Sequence, residues 1–251
     1  MRTIILLTLM LSVSGCITSG DMPKREAEPK EAAKANLQLG SEYLQRGDRE
    51  RALEKLQRAI EQDPGLAIAH AYLGLTYQQL GQHDEADTHY RQAIRIADDE
   101  PSVYNMYAVY LCRRDRLKEA DRYFMAATKI ASYNTPEAAY TNAGVCQLKV
   151  PNVEKAENYF RQALDLNPRY PDALWQMAQL TYAEGRDFQS RAFLQRLTEV
   201  ARLSSAALWL GYRVETDMGD DDAAAQYARQ LMDMFPESVE AAELSQVDPR
   251  Y

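Results

Sequence analysis

Three cysteines, three histidines and one run of three aspartates are the residues of this 251-residue chain whose chemistry invites a functional reading. The histidines, His70, His83 and His89, belong to no H-E-x-x-H, nucleophile-elbow or Ser-x-x-Lys arrangement. None has the sequence partner that makes a base or a metal ligand. His70 falls where a helix needs an aromatic core residue, and a structural role is expected for it. Asp220, Asp221 and Asp222 lack the alternating spacing of a calcium loop and open a helix. There carboxylates cap free amides and meet the positive end of the helix dipole. The remaining carboxylates are spread along the chain with no pair singled out. No enzyme activity, metal, cofactor or small-molecule substrate is expected from these residues. The cysteines, Cys16, Cys112 and Cys146, take their meaning from the segments that carry them.

The chain is 46% apolar and 26% charged, with a net charge of −8. That acidity argues against nucleic acid, whose phosphates are bound by clustered Lys and Arg. The densest basic run, Arg113, Arg114 and Arg116, reads as a solvated helix end, where positive charge is favoured. At the N-terminus, Met1 and Arg2 precede an apolar run from Thr3 to Val13 that is too short to span a bilayer and reads as a signal peptide over residues 1–15. Val13-Ser14-Gly15-Cys16 resembles the lipobox of bacterial lipoproteins, with valine in place of the commoner leucine. The resemblance implies that Cys16 becomes the first mature residue and carries acyl chains, each buried methylene stabilising the anchor by about 0.8 kcal/mol. The alternative is an ordinary secretory peptide and a free Cys16. Ile17, rather than an aspartate, resembles the signal for outer-membrane sorting. Residues 16–31 contain Pro23 and Pro29, mixed charges and no aromatic residue, and are expected to form a flexible tether.

From residue 32 to 246 the chain repeats itself. Gly40, Gly74, Ala108, Gly144, Ala178 and Gly211 recur at intervals of 34, 34, 36, 34 and 33 residues; Ala52, Ala86, Ala120 and Ala156 keep the same beat, as do Ala59, Ala93, Ala127 and Ala163. A period near 34 means stacked helical hairpins, whose crossing points admit only small side chains. Leu56, Tyr90, Phe124 and Phe160 are the large residues expected to fill the space around them. Turn signals at Gly47-Asp48, Gly81-Gln82, Pro151-Asn152, Gly185-Arg186 and Gly219-Asp220 divide first from second helices, while Pro101 and Pro171 open new hairpins. These positions resemble the tetratricopeptide repeat. The expected fold is all-α: a tetratricopeptide-repeat superhelix of about six hairpins (33–66, 67–100, 101–134, 137–170, 171–204, 205–236), a capping helix from Glu237 to Gln246, and a tail over 247–251. Repeat 5 has Ser190 where alanine is expected, and repeat 6 accommodates Ala224 and Ala228 only with one inserted residue.

Within that register Cys112 and Cys146 fall on the first helices of repeats 3 and 4, which pack side by side in such a stack. A disulfide between them is expected in an oxidising compartment; the alternative is two buried thiols. A two-residue insertion, Tyr133-Asn134-Thr135-Pro136, lies at the same joint, which the bridge is expected to stiffen. First-helix positions that line the concave groove of the repeat family map to Leu37, Leu44, Ile68, Leu75, Asn105 and Val109. They describe a largely apolar, solvent-facing wall suited to a segment of a partner protein, or to a covering segment of this chain. Trp175 and Tyr182 form a second candidate in repeat 5. The carboxylate clamp of chaperone-binding relatives is absent, because Leu37, Ser41, Tyr72, Ser102 and Met106 occupy its positions.

Tyr43-Leu44-Gln45-Arg46-Gly47-Asp48, Asn105-Met106-Tyr107 ahead of Cys112, and Tyr140-Thr141-Asn142-Ala143-Gly144-Val145-Cys146 resemble the type IV pilus biogenesis lipoproteins, the pilotins of the pilus secretin. The resemblance implies an outer-membrane lipoprotein, with its repeats in the periplasm, that binds secretin subunits and promotes their localisation and multimerisation for pilus biogenesis and twitching. The alternative is a scaffold for outer-membrane protein assembly or for peptidoglycan hydrolases.

Overall fold

The computed structural model describes residues 29–150 and 152–250; the expected signal peptide, Cys16 and residues 17–28 of the tether lie outside the described residues. All regular structure among them is helical. Six hairpins run in order: α1 (Pro29–Gln45) with α2 (Arg49–Gln62), α3 (Ala67–Gln79) with α4 (His83–Ile96), α5 (Pro101–Arg113) with α6 (Leu117–Thr128), α7 (Pro136–Gln147) with α8 (Val153–Leu166), α9 (Pro171–Ala183) with α10 (Asp187–Thr198), and α11 (Ser205–Asp217) with α12 (Asp221–Met234). A thirteenth helix, α13 (Val239–Val247), closes the stack.

Each helix packs chiefly on its hairpin partner, and each first helix also meets the first helix of the next hairpin. Successive second helices make no such close approach to one another. Each second helix also packs on the first helix of the next hairpin, so the stack closes through the first helices and stays open between the second ones. This asymmetry explains the sequence pattern: second helices carry one apolar stripe, whereas first helices bury residues on more of their circumference, as α3 does with Ala67, Ala69, His70, Ala71, Leu73, Gly74 and Thr76.

The crossing points are close. A Cβ built on Gly74 would lie 2.9 Å from the Tyr90 ring, and one on Gly144 only 2.4 Å from that of Phe160. Tyr90, Phe124 and Phe160 are all but fully buried, with Ala86, Ala120 and Ala156 beside them. Burial of each such ring stabilises the stack by about 2–3 kcal/mol. In repeat 5 Ser190 takes the alanine position, fully buried, and its hydroxyl donates to the Ala178 carbonyl at 2.8 Å.

The turns keep a stricter beat than the small residues. Gly47, Gly81, Gly185 and Gly219 all have φ between 69° and 77°, the left-handed region in which glycine is unstrained. The third turn uses Asp115 at φ 58°, the one non-glycine residue with positive φ among those described. Ala224 follows Gly219 by five residues, as Ala52 follows Gly47 and Ala86 follows Gly81. The sixth second helix is thus in register without any insertion. Gly211 is the residue that departs, one position early, and the space above it is taken by the Tyr227 ring.

Three boundaries differ from expectation. α1 starts at Pro29, inside the expected tether, because proline suits a helix start and Glu31 both serves the first turn and pairs with Lys34 at 3.0 Å. α13 starts at Val239, where Ser238 caps the Ala241 amide, and ends at Val247. The tail is not loose at Asp248, which is 6% exposed, accepts from the Tyr212 hydroxyl at 3.4 Å and pairs with Arg250.

Candidate functional site

The predicted groove residues come from α1, α3 and α5, neighbours in the first-helix layer. Leu37, Ile68, Leu75, Asn105 and Val109 are each half-buried. Leu75 joins two clusters: with Leu37 it packs around Leu44, Leu56 and Leu73, and with Ile68 and Val109 it packs around Val103, Tyr107 and Leu111. Leu44 departs from the expected wall. It is 7% exposed and sits in the core with Ala52 and Leu56, because α2 folds directly over that side of α1. Asn105 accepts a hydrogen bond from the Asn142 side chain of α7 at 3.2 Å, tying repeat 3 to repeat 4 along the groove.

Beside that pair the structure adds a residue the sequence reading did not include. Val145 is 42% exposed and lines a cavity of about 250 Å³ with Val109, Cys112, Asn142 and Lys149. Leu75, Val109 and Val145 each directly follow the small crossing residue, Gly74, Ala108 and Gly144. They form an apolar strip across α3, α5 and α7, and carrying the register past the two-residue insertion reveals it. Trp175 packs half-buried between two core clusters, while the Tyr182 hydroxyl donates to Asp217 at 2.7 Å beneath the Arg213 guanidinium.

Cys112 and Cys146 are bonded, with 5.8 Å between their Cα atoms. Lys149 closes the same joint, donating to the Cys112 carbonyl at 2.9 Å and pairing with Asp115 at 2.5 Å. The insertion is fixed independently of the bridge: Tyr133 packs against the core of repeats 2–4, and Ser132 donates to the Asp99 carbonyl at 3.3 Å.

Of the acidic run, Asp220 caps the Ala223 amide and pairs with Arg191, which also holds the buried Glu215. Among the described residues no group of three or more potential ligands has the geometry to hold a metal ion, and no helix is long and apolar enough to cross a membrane. His70 is buried and its Nδ1 lies 3.2 Å from Nδ1 of His89, whose ring stacks on Tyr77. Burial holds both imidazoles below the ordinary value of 6.5, and the charge of His70 adds to the effect on His89. A base whose folded pKa is depressed leaves stability at full strength above its unfolded pKa and loses it as pH falls through that value. Between pH 7.5 and 5.5 stability is expected to fall on the order of 1 kcal/mol. Urea midpoints measured at the two pH values check this, and an unchanged difference in a His70→Phe, His89→Phe variant would refute it. The lowered carboxylates of Glu119 and Glu157, held by Arg116 and Arg186, act only below their own ordinary range, near pH 4.5.

The tetratricopeptide-repeat family description matches residues 40–81, 67–100 and 152–210. The type IV pilus assembly protein PilF of Pseudomonas aeruginosa is 32% identical over 244 residues, which cover 96% of this chain and 97% of that protein. The solved structure of Pseudomonas aeruginosa PilF superposes with a TM-score of 0.75 at 31% identity, over 88% of this chain and 100% of that one. PilW, described as a widely conserved type IV pilus biogenesis factor, superposes with a TM-score of 0.73 at 29% identity, over 84% and 97%. With that identity sustained along nearly the whole of both chains and the same stack of helical hairpins beneath it, this tetratricopeptide-repeat protein belongs to the family of the type IV pilus assembly protein PilF.

Proposed function

We propose that the protein is a non-catalytic adaptor in type IV pilus biogenesis: an outer-membrane lipoprotein, anchored through acylated Cys16, whose repeat domain in the periplasm binds secretin subunits and promotes their localisation and multimerisation. The full-length similarity to PilF carries the reading. The apolar strip of half-buried Leu37, Leu75 and Val109 with the exposed Val145 supports it, since such a strip on neighbouring first helices presents a firm seat for a partner segment. The anchor would supply location and effective concentration, and the strip recognition.

Deleting the protein is expected to abolish heat-resistant secretin multimers, and exported Cys16→Ser protein to leave the secretin mislocalised. Leu37→Asp and Leu75→Asp are each expected to weaken secretin binding by about tenfold or more. Because Leu75 joins two core clusters, Val145→Asp is the cleaner probe: its side chain is already exposed, and its melting temperature should move by only about 2–4 °C. Secretin rings that assemble normally without the protein would sink the proposal.

A further inference from the structure

Because successive second helices do not close on one another, clefts open between neighbouring hairpins. Two are comparable in size and opposite in electrostatic completion. The cleft between α6 and α8, about 650 Å³, is lined by three cations and three carboxylates. At its centre Asp121 receives Lys155 at 2.9 Å, the Tyr159 hydroxyl at 2.7 Å and Gln147 at 3.2 Å. Its central carboxylate is saturated, and among the described residues the one cation there without an ion pair is the exposed Lys118.

The cleft between α4 and α6, about 550 Å³, is lined by four arginines and a single carboxylate, in a chain whose net charge is −8. Two of the arginines are satisfied within the fold: Arg91 pairs with Asp87, and Arg116 with Asp87 at 3.0 Å and Glu119 at 2.8 Å. The other two are not. Arg95, on α4, bonds only the neutral Gln92 side chain, and Arg122, on α6, lies with its guanidinium 5.1 Å from the Tyr123 ring centre. Among the described residues neither has a carboxylate within ion-pairing distance, and both are exposed. Ile94, Tyr107 and Tyr123 contribute apolar lining between them.

We propose that this cleft is a second docking site, which takes an acidic segment of a protein partner: carboxylates on Arg95 and Arg122, and an aromatic or leucine side chain against Ile94, Tyr107 and Tyr123. A guanidinium binds a carboxylate through two parallel donors, and the tyrosine rings suit a flat or branched apolar group. Charge complementarity favours a peptide over a phosphorylated lipid headgroup. Asp87 and Glu119 already quench half of the positive charge, leaving enough for two single carboxylates around an apolar anchor.

The full mature protein is titrated with a fluorescent acidic peptide in which a Leu-Phe pair is flanked by two glutamates on each side, with its lysine counterpart, and with phosphatidylglycerol vesicles. The acidic peptide is expected to bind and its lysine counterpart is not, while vesicles are expected to bind through the acyl chains with no dependence on the two arginines. The acidic peptide should bind about tenfold more weakly once Arg95→Glu and Arg122→Glu are combined. Raising salt from about 50 to 300 mM should weaken it severalfold. Arg95→Lys with Arg122→Lys should fall between, because charge remains and the fork is lost. Leu37→Asp should leave this binding intact, which separates the site from the strip. Failure of the acidic peptide to bind, binding indifferent to the charge reversal, or vesicle binding that requires the two arginines each overturns the proposal. Both positions are exposed, so the reversed variant should keep the wild-type circular dichroism spectrum.

Discussion

Gly144→Leu is expected to unfold the fourth hairpin and divide the stack. A single Cβ at this position would meet three atoms of the Phe160 ring at 2.4, 2.7 and 2.9 Å. The ring is fully buried and has nowhere to swing. Gly144→Ala already overpacks the crossing at about 1–3 kcal/mol, offset by up to about 1 kcal/mol of helix propensity. Leucine adds three further carbons to the same space. Because each repeat in a stack is held only by its neighbours, loss at repeat 4 removes the interfaces on both sides. The expected result is a two-step melt, with hydrogen exchange fastest across α7 and α8. Combining Gly144→Ala with Phe160→Leu should recover part of the loss, since a smaller, more pliable side chain vacates the crossing. A Gly144→Leu protein that melts within about 2 °C of the wild type would show that the crossing is slack, contrary to the close approach seen here.

Reducing the Cys112–Cys146 bridge carries the second large effect. The two cysteines are 34 residues apart, and closing a loop of that size removes about 3.8 kcal/mol of entropy from the unfolded chain. At about 2–4 °C per kcal/mol, the melting temperature should fall by roughly 8–15 °C on adding reductant. The Cys112→Ser, Cys146→Ser variant should match the reduced protein and ignore reductant. The folded joint itself should persist, since Lys149, Tyr133 and Ser132 hold it separately. The partner binding proposed for the strip is therefore expected to survive reduction at temperatures where the domain is folded. Identical melting of oxidised and reduced protein would show that the unfolded chain is not constrained as supposed.

Much of the fold was legible in the sequence because its cause is local and repeated. A 34-residue beat of small residues, with a large one sixteen positions on, states that two helices cross closely, and the turn residues state where the chain reverses. The half-buried character of Leu37, Leu75 and Val109 is less local. It depends on how far the next first helix leans over each residue, and Leu44 shows the difference: same helix, same family position type, yet closed over by α2. The sixth repeat misled for a related reason. Gly211 keeps the right residue type one position out of place, and counting from the turn at Gly219, whose φ matches the other turns, shows that the second helix never slipped.

By itself the sequence determined the architecture: stacked hairpins, their boundaries to within a few residues, the first-helix layer that holds the strip, and the absence of a recognisable catalytic motif. What tertiary structure alone decided is which side chains from different repeats meet. His70 and His89 pair across a hairpin, and Asp121 is saturated while Arg95 and Arg122 are left without a carboxylate. Helix periodicity places a side chain on a face, but charge balance and exposure are set by distances between faces of separate elements, which no spacing along one chain encodes.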